Sequence, residues 1–567
     1  MTSKTDLTNL GEVVSTDVLI IGGGIAGLQA AIKARLSRPV SVLLVDKATP
    51  GYSGQGPRLG GHSGAVPEHQ LDSWLKGKVE EGGYLNNQEL TYTFGKEMIR
   101  VHEETFDWGA PYLKDEKGKL VIEQYDSTDP DSPYRAVWID PPAMMQFFRG
   151  KARSAGVNIL KRVMVTELLT EGERVAGAVG FSIDSGQFYI LKAKATIIAD
   201  GACMYRYRSL FQNNSGVGVA AAYNVGAEMR NAEFANTVAC CTKDGLRGAH
   251  GSYRPAENAL GENIGDKYGV PEWAKGHYQV MFPLLWKEIN EGRGPVYSYE
   301  GLHLREPGDE VRGAQISTRK HGLKLREKLG HAPDQRQEMV LAQSNRQGPI
   351  RIDLHCRATL PGLWAVGDAS FGGSGYCGAQ GPVMAVGGQG AGFAQVTGYI
   401  AGSDAAEFAS EAAAPEIDSA QVSRLKEQIF APLERKQGFD PNDAIYQAQE
   451  AIMTVKYNIF KSGERMQEAL AIVEAVKGIL PTLWAKDLHY LVKAHEAASM
   501  TLCAELTYVP ALMRKESRST FIREDYPERD DQNWLKWIII KKEKEEMKMW
   551  TEPVPIDKYK IKPPKKA

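Results

Sequence analysis

The segment 17–46, DVLIIGGGIAGLQAAIKARLSRPVSVLLVD, decides the fold of this chain. The apolar run VLII predicts a buried strand, the glycines after it predict a sharp turn, and GLQAAIKARL has helical spacing. SVLLV predicts a second strand. Gly22, Gly24 and Gly27 occupy the glycine positions of the pattern GxGxxG. A strand, a turn and a helix in this order are typical of a dinucleotide-binding βαβ unit.

Each glycine of this turn has its own physical task. Gly22 permits the tight turn, Gly24 lets the backbone approach a pyrophosphate, and Gly27 lets the helix pack against the strand. The N-terminus of the helix offers unpaired N–H groups and the positive end of its dipole to phosphates. Asp46 ends the second strand, where an acid accepts hydrogen bonds from ribose hydroxyls. The residues predicted to bind at this end of the ligand are Gly22, Gly24, Ile25, Ala26, Gly27, Asp46 and Lys47.

The composition is that of a large globular chain. At 567 residues it can bury an extensive core, and 68 Lys and Arg against 70 Asp and Glu give no reason to expect nucleic acid or an anionic membrane as partner. The 58 glycines are concentrated near residues 22–27, 51–64 and 367–392. Such clusters indicate backbone packed closely around a ligand.

The cysteines and the termini bound the class further. None of the six cysteines forms a CxxC pair or a metal-site spacing, so we expect no metal and no iron–sulfur cluster in this chain. Sparse cysteines and the lack of an apolar N-terminal stretch predict a cytoplasmic protein. Residues 369–402 carry no charge but hold eleven glycines, which predicts a loop lining a cofactor and then a helix, and not a transmembrane segment.

Two further segments favour FAD over NAD. Residues 195–202, ATIIADGA, resemble the strand and turn that flavoproteins place beside adenosine, with Asp200 and Ala202 replacing the usual pattern. Residues 363–368, LWAVGD, resemble the strand whose terminal Asp binds the ribityl chain. A helix after Pro382 would direct its positive end toward the flavin pyrimidine. The remaining predicted cofactor contacts are Ser53, Gly54, Gly60, Gly61, Val165, Ala199, Asp200, Gly201, Gly367, Asp368, Gln380, Pro382 and Val383.

Together these motifs resemble the flavoprotein subunits of the succinate dehydrogenase/fumarate reductase family, including the alpha subunit of adenylylsulfate reductase. The resemblance covers most of the chain. It is most specific in RKESR at 514–518 and REDYPERDDQNW at 523–534, which look like the C-terminal signature of the family. Residues 258–268 and EINEGRG at 288–294 resemble two elements of its capping domain.

The departures from the family pattern bear on function. Where the family carries the histidine that attaches FAD covalently, this chain has Gly54, so we predict non-covalent FAD; His62 lies on the other side of the glycine pair. Three cationic positions that the resemblance assigns to a dicarboxylate fall on Val238, Pro283 and the segment 375–381, GYCGAQG. A buried dicarboxylate needs cationic partners, so we disfavour succinate and fumarate as substrates.

The comparison with adenylylsulfate reductase remains open at this point. Residues 174–190 and the spacing into Lys243 resemble its alpha subunit. The arginine of its active site is replaced near Cys241, and its flavin-side histidine falls in the altered segment 377–380. The resemblance implies a shared scaffold, and the sulfur chemistry does not follow from it.

Candidate catalytic side chains lie on both sides of the expected flavin and in the cap. Arg58 and His62 would place a cation near the ring, and Tyr376 is a candidate proton donor. Charged cap residues would bind an anionic substrate. Their structural alternatives, a backbone-bonded arginine, a shielding aromatic and a solvated charge, stay open. The catalytic candidates are Arg58, His62, Tyr376, Arg254, His277 and Arg293.

The predicted fold class is α/β, with a Rossmann-like FAD-binding domain, an inserted α+β capping domain and a C-terminal helical domain. We expect the FAD-binding domain at 1–235 and 351–415, the capping or substrate domain at 236–350, the helical domain at 416–540 and a charged, solvated tail at 541–567. The expected activity is FAD-dependent oxidoreduction of a small non-dicarboxylate molecule, with electrons exchanged with an iron–sulfur or ferredoxin-like partner. The alternatives are an electron-transfer protein with no substrate site of its own and the alpha subunit of an adenylylsulfate reductase.

Overall fold

A computed structural model describes most of the chain. The described residues are 6–59, 61–124, 135–206, 214–243, 248–249, 256–270, 278–299, 328, 330, 336–345, 348–371 and 389–564. Within this part the helices alternate with strands in the first half and dominate after residue 389.

The strands of the described residues fall into five sheets. They are β1 Glu12–Ile21, β2 Val42–Asp46, β3 His62–Ala65, β4 Ile122–Gln124, β5 Arg135–Trp138, β6 Asn158–Lys161, β7 Val163–Glu171, β8 Arg174–Ser182, β9 Phe188–Ile198, β10 Met229–Arg230, β11 Asn236–Thr242, β12 Gly248–Ala249, β13 Ala256–Glu257, β14 Val296–Tyr299, β15 Arg336–Asn345, β16 Leu363–Ala365, β17 Phe460–Lys461, β18 Ile522–Arg523, β19 Lys536–Glu543 and β20 Glu546–Pro553.

The helices range from single turns to a C-terminal helix of 26 residues. They are α1 Ile25–Ser37, α2 Leu71–Glu81, α3 Gln88–Asp107, α4 Pro141–Ser154, α5 Val217–Asn224, α6 Ile264–Lys267, α7 Tyr278–Glu288, α8 Asp368–Phe371, α9 Gln389–Glu411, α10 Ser419–Glu434, α11 Pro441–Met453, α12 Val455–Asn458, α13 Gly463–Ile479, α14 Leu488–Met513 and α15 Asp531–Trp534.

The largest sheet positions the site. Its order is β6-β2-β1-β9-β8-β7, and β16 pairs with the end of β9. Strands β6, β2, β1, β9 and β16 are parallel, and Ile21 and Ala365 are both in register with Ile198. The carboxyl ends of three strands therefore meet at one edge, the place where open α/β sheets bind ligands. The predicted α/β class and Rossmann-like unit are confirmed.

Two helices cover this sheet next to each other because glycine permits close contact between them. A Cβ added at Gly398 of α9 would lie 2.3 Å from the carbonyl oxygen of Ala26 in α1. A Cβ added at Gly402 would lie 2.4 Å from the carbonyl oxygen of Ala30. Distances under 3 Å are far inside van der Waals contact, so larger residues would separate the helices. The glycines of the uncharged segment thus set the position of α9 against the nucleotide turn.

A second, smaller sheet of order β12-β11-β15-β14-β13 belongs to the inserted region. Its apolar cluster includes Met281, Phe282 and Leu285 of α7, and Ile459 and Phe460 from the C-terminal region join it. Phe460 stacks on Trp286 with ring centroids 5.4 Å apart. The inserted region and the C-terminal helices therefore share a core.

The C-terminal signature forms a buried ionic network. Arg514 Nε donates to Glu233 Oε1 at 2.8 Å, Arg514 Nη1 donates to Glu516 Oε1 at 2.8 Å, and Arg518 Nη2 donates to Glu516 Oε2 at 2.6 Å. All four side chains are fully buried. The network joins the segment after β10 to the end of α14, across about half of the sequence.

The predicted charged tail at 541–567 begins inside a hairpin. Strands β19 and β20 form a hairpin, and β19 pairs with β10 through Met229 and Ile540. Ile538, Ile539 and Ile540 are buried. The many charges of residues 541–549 do not suggest a strand in the sequence. They continue a strand whose apolar part, residues 537–540, enters the core. Among the described helices, none has the length and apolarity needed to cross a bilayer.

Candidate functional site

The glycine turn at the sheet edge meets two different demands. Gly22 has φ +111°, and a Cβ there would lie 2.5 Å from the carbonyl oxygen of Ala199. A Cβ at Gly27 would lie 1.9 Å from the carbonyl oxygen of Gly22. A Cβ at Gly24 would meet no described atom within 4 Å. The fold itself therefore requires Gly22 and Gly27, whereas Gly24 borders open space at the N-terminus of α1.

Asp46 shapes the turn from the neighbouring strand. Its Oδ2 accepts the Gly23 N–H at 2.5 Å, and its Oδ1 accepts the Ala48 N–H at 2.6 Å. Each carboxylate oxygen keeps further lone pairs for a ligand hydroxyl. Asp46 thus lies beside the glycine turn and is held there by backbone donors.

Lys47 turns away from the glycine turn toward α14. Its Nζ lies 2.6 Å from Glu496 Oε1, and Arg206 Nη1 lies 2.9 Å from Glu496 Oε2. Burial raises the pKa of Glu496, but Lys47 and Arg206 outweigh burial and lower that pKa below its ordinary value. The lysine predicted to face the ligand is therefore engaged in tying the sheet edge to the C-terminal region.

Asp200 follows β9 on the other side of the turn. Its Oδ2 accepts the Gly218 N–H at 2.8 Å near the start of α5. Its Oδ1 is buried and, within the described ranges, has no hydrogen-bond partner. Burial raises the pKa of Asp200 to about 6. A buried acceptor beside the turn fits a hydroxyl-bearing ligand such as the ribose of a dinucleotide.

We predict that Asp200→Asn raises the stability of the FAD-free protein at pH 8. The folded-state pKa of about 6 lies above the ordinary value of 3.8, so an ionised Asp200 destabilises the fold above pH 6, by about 3 kcal/mol at most. This penalty fades as the pH falls from 6 to 4, because the folded carboxyl then binds its proton. Thermal melts across pH 4–8 measure the difference. A variant without a gain at pH 8, or with an equal gain at pH 4, contradicts the prediction.

The opposite wall of the site begins at the end of β16. Gly367 has φ +58°, and a Cβ there would lie 3.0 Å from the Cβ of Ala26. The Gly367 N–H donates to Thr397 Oγ1 of α9 at 2.9 Å. Gln55 Nε2 donates to Asp368 Oδ2. The structure therefore brings together the glycine turn, the glycine-rich segment 51–58 and the Gly367–Asp368 turn, which the sequence separates by more than 300 residues.

Arg58 lies in the glycine-rich segment, and His62 lies in the strand that follows it. Arg58 is half-buried at the end of a 3₁₀ turn, and nothing in the described part of the chain pairs with its guanidinium. His62 begins β3 and meets Trp138 edge to face, with ring centroids 5.6 Å apart. A Cβ at Gly54 would meet no described atom within 4 Å. Glycine at this position leaves no nucleophile for a covalent flavin bond.

The remaining described cofactor candidates differ in position. Gly61 has φ +92°, and its carbonyl accepts the Ile139 N–H at 2.9 Å. Ser53 is half-buried, and Val165 is buried at an irregularity of β7. Gly201 has φ +86° directly after Asp200. Val165 lies on the antiparallel strand β7, close after Arg162, whose N–H donates at 3.1 Å to the carbonyl oxygen of Ala48, two residues beyond Asp46.

Arg293 forms an internal ion pair of the inserted region. Its Nε and Nη2 each lie 2.7 Å from an oxygen of Glu288, which is fully buried and also accepts from Tyr268 and Asn258. These donors, Arg293 foremost, hold the pKa of Glu288 well below its ordinary value. The geometry favours a structural task for Arg293 over the predicted substrate contact.

Several predicted residues lie outside the described part of the chain. They are Gly60, Arg254, His277, Tyr376, Gln380, Pro382 and Val383. Two described residues of the site, Gln55 and Thr397, were not predicted from the sequence. Gln55 lies in the glycine-rich segment, which was the available signal, whereas nothing in the uncharged helix around Thr397 marked it.

The sheet edge, the open space at Gly24 and the acids Asp46 and Asp200 beside the turn fit an adenine dinucleotide such as FAD. Together with the match to an FAD-binding family, these features define an FAD-dependent oxidoreductase. Residues 17–244 match the family model of the FAD binding domain, and residues 447–567 match that of the fumarate reductase flavoprotein C-terminal region. The chain belongs to the succinate dehydrogenase/fumarate reductase flavoprotein family. The predicted family, cofactor and enzyme class are confirmed.

Two archaeal relatives align over nearly their whole length. An uncharacterized FAD-dependent oxidoreductase of Methanocaldococcus jannaschii is 26% identical, with 95% of this chain and 98% of the relative covered. A chain of the fumarate reductase (CoM/CoB) of Methanothermobacter marburgensis is also 26% identical, with 94% and 98% covered. The match is spread along the chain and is not confined to the nucleotide turn.

Two solved structures share the fold. Adenylylsulfate reductase from Archaeoglobus fulgidus superposes with a TM-score of 0.78 at 23% identity, covering 96% of each chain. Quinol fumarate reductase of E. coli superposes with a TM-score of 0.82 at 20% identity, covering 98% of this chain and 99% of the other. At these identities the likeness establishes the architecture alone.

Proposed function

We propose that this flavoprotein oxidises or reduces a small molecule other than a dicarboxylate and exchanges electrons with a separate iron–sulfur protein. Bound FAD supplies two-electron redox chemistry. The residues of the sheet edge hold the cofactor: Gly24 and the N-terminus of α1 receive the pyrophosphate, Asp46 and Asp200 the ribose, and Asp368 the ribityl chain.

The observation that carries the substrate class is the loss of three cationic positions. Val238 lies in β11, and Pro283 lies inside α7, where it offers no charge and no backbone donor. The third position falls in residues 375–381, GYCGAQG, which contain no cation. A dicarboxylate transferred from water without cationic partners is strongly disfavoured.

Arg58 is the cation that we assign to the flavin side of the site. It lies three residues after Gln55, which bonds the Asp368 side chain, and its guanidinium is unengaged in the described structure. We propose His62 and Tyr376 as further catalytic candidates from their positions in the sequence. Arg293 is proposed as a structural residue of the cap because Glu288 occupies its donors.

The partner follows from the cysteines. None of the six cysteines forms a cluster-binding pattern, so this chain supplies no iron–sulfur ligands of the usual spacing. The described thiols of Cys203, Cys356 and Cys503 are all buried and free. Electrons that reach the flavin singly therefore need an external one-electron carrier, and a ferredoxin-like protein has that chemistry.

Anaerobic spectroscopy tests both parts of the proposal. The visible absorbance of the FAD-loaded protein is expected to bleach with a reduced ferredoxin and to remain unchanged with succinate. If fumarate reoxidises the reduced flavin, or if succinate bleaches the oxidised flavin at a catalytic rate, the non-dicarboxylate assignment is overturned. Failure of reduced ferredoxins to transfer electrons overturns the iron–sulfur partner.

We also predict that acid precipitation releases all the flavin into the supernatant. Gly54 replaces the histidine that carries the covalent bond in members of the family that have one, and glycine has no nucleophilic side chain. Absorbance of the supernatant and in-gel flavin fluorescence of the denatured chain measure the two fractions. Fluorescence that stays with the polypeptide contradicts the prediction and directs attention to His62.

The alpha subunit of an adenylylsulfate reductase is the second candidate. The similarity of residues 174–190 to that subunit favours it. The altered segments near Cys241 and at 377–380 oppose it. Turnover of adenosine phosphosulfate with a competent electron donor supports this candidate, and no turnover eliminates it.

A further inference from the structure

A chain of buried polar side chains lies between the strand β3 and the helix α9. Ser63, His102 and Gln395 have no exposed surface, and Tyr112 is 4% exposed. His102 Nε2 lies 2.9 Å from the carbonyl oxygen of Gly64, and His102 Nδ1 lies 3.0 Å from Tyr112 Oη. The Gln395 amide lies 3.0 Å from Tyr112 Oη and 3.2 Å from Ser63 Oγ.

The protonation state of His102 fixes the direction of these hydrogen bonds. Burial lowers the pKa of His102 to about 4, so the ring is neutral near pH 7 and carries one N–H. The Gly64 carbonyl can only accept, so His102 Nε2 donates to it, and the unprotonated His102 Nδ1 faces the Tyr112 hydroxyl as an acceptor. The Tyr112 hydroxyl also donates to Gln395 Oε1, and Gln395 Nε2 donates to Ser63 Oγ. Hydrogen bonds thus link the four side chains without a break from β3 to α9.

The network connects the two segments that border the flavin site. Ser63 and Gly64 belong to β3, which follows the glycine-rich segment directly. A Cβ at Gly392 of α9 would lie 2.9 Å from the Gly64 carbonyl oxygen, so α9 touches β3 at this level. Thr397, two residues after Gln395, accepts the Gly367 N–H on the opposite wall. The helix α9 is thereby tied to both walls by neighbouring polar side chains.

Packing alone does not set this relation. A strand can slide along an apolar helix face with a modest change in buried area, whereas a buried polar chain is satisfied in one register only. Moving β3 relative to α9 would leave several buried polar groups unpaired, at about 1–3 kcal/mol each. The contacts therefore specify position more strongly than the apolar packing around them.

We propose that His102 is a positioning residue of the flavin site: through Gly64, Tyr112 and Gln395 it fixes β3 against the helix α9. This inference rests on the proposed function, because the importance of that register depends on FAD binding between the two walls. His102 itself contacts neither substrate nor cofactor.

The experiment compares His102→Leu with a matched control. His495 is half-buried in the helix α14, burial lowers its pKa to about 4, and its Nε2 lies 3.0 Å from the carbonyl of Ile429. His495→Leu therefore removes the same kind of hydrogen bond far from β3. Both variants are expected to melt at lower temperature than the wild type. Only His102→Leu is expected to change the flavin.

The expected flavin changes are quantitative. For His102→Leu we expect a tenfold weaker FAD affinity and a tenfold change in the relative affinity for oxidised and reduced FAD, which is about 30 mV for a two-electron couple. We expect His102→Gln to recover most of both, because its amide can donate to the Gly64 carbonyl. Tyr112→Phe supplies a second test, with a smaller shift in the same direction, if the leucine variant does not fold.

The outcomes separate this inference from the proposed function. A wild-type protein that takes up no FAD overturns the proposed function. Wild-type uptake combined with an unchanged potential in folded His102→Leu or Tyr112→Phe overturns the positioning role alone. An equal shift in His495→Leu also overturns it, because the effect would then follow from general destabilisation.

Discussion

A Gly24→Val protein is expected to fold normally and to lose FAD. The backbone at Gly24 has φ −76° and ψ −170°, a conformation open to any residue, and an added Cβ meets no described atom within 4 Å. Only a ligand at the N-terminus of α1 would collide with a larger side chain. We expect the dissociation constant for FAD to rise about 100-fold or more, which corresponds to about 2.8 kcal/mol.

Flavin absorbance after reconstitution and the melting temperature of the FAD-free protein measure the two effects separately. Gly150→Val is the control for surface substitution, because its Cβ also meets no described atom within 4 Å and it lies in α4. Gly27→Val is the opposite control and is expected to unfold the protein, because its Cβ would lie 1.9 Å from a carbonyl oxygen. If the Gly24→Val protein binds FAD as tightly as the wild type, the pyrophosphate does not bind at this turn.

Arg514→Met is expected to lower the free energy of unfolding by about 3–5 kcal/mol. The substitution removes the buried partner of Glu233 and one of the two arginines that bond Glu516. Glu233 is then a buried carboxyl without its cation. Burial already raises the pKa of Glu233. The loss should therefore be greater at pH 8 than at pH 5, where the carboxyl more readily takes a proton.

Thermal or urea unfolding of the FAD-free protein measures this loss. Arg162→Met is the matched control, because Arg162 pairs with Asp184 at the surface and both side chains are about half exposed. Its effect is expected to stay within about 0.5 kcal/mol. Adding Glu233→Gln to Arg514→Met should recover part of the loss. An Arg514 variant as stable as the Arg162 variant would show that the buried network contributes little.

Local patterns in the sequence were sufficient for the nucleotide-binding edge. The turn at Gly22–Gly27 follows an apolar strand, and both signals act over a few residues. The Gly367–Asp368 turn was predicted by resemblance, and the structure places it against Ala26. That contact depends on the pairing of β16 with β9, which no local pattern encodes.

The parts that could not be predicted depend on distant partners. Arg293 carries the same charge whether it faces substrate or Glu288, so its position in the sequence cannot distinguish the two. The hairpin at 536–553 could not be predicted from the sequence, because it contains few apolar residues and many charged ones. The bond between Thr397 and Gly367 follows from the close approach of α9 to α1, which becomes apparent only when the helices are assembled.

The pairing of β10 with β19 imposes an order on biosynthesis. Met229 and Arg230 leave the ribosome about 300 residues before the strand β19 that pairs with them. Glu233 is likewise synthesised almost 300 residues before its partner Arg514. A nascent chain can complete its nucleotide turn early but cannot close this region until translation is almost finished. A chain that terminates before residue 536 would therefore retain an uncovered strand edge and become a substrate for chaperones and proteases.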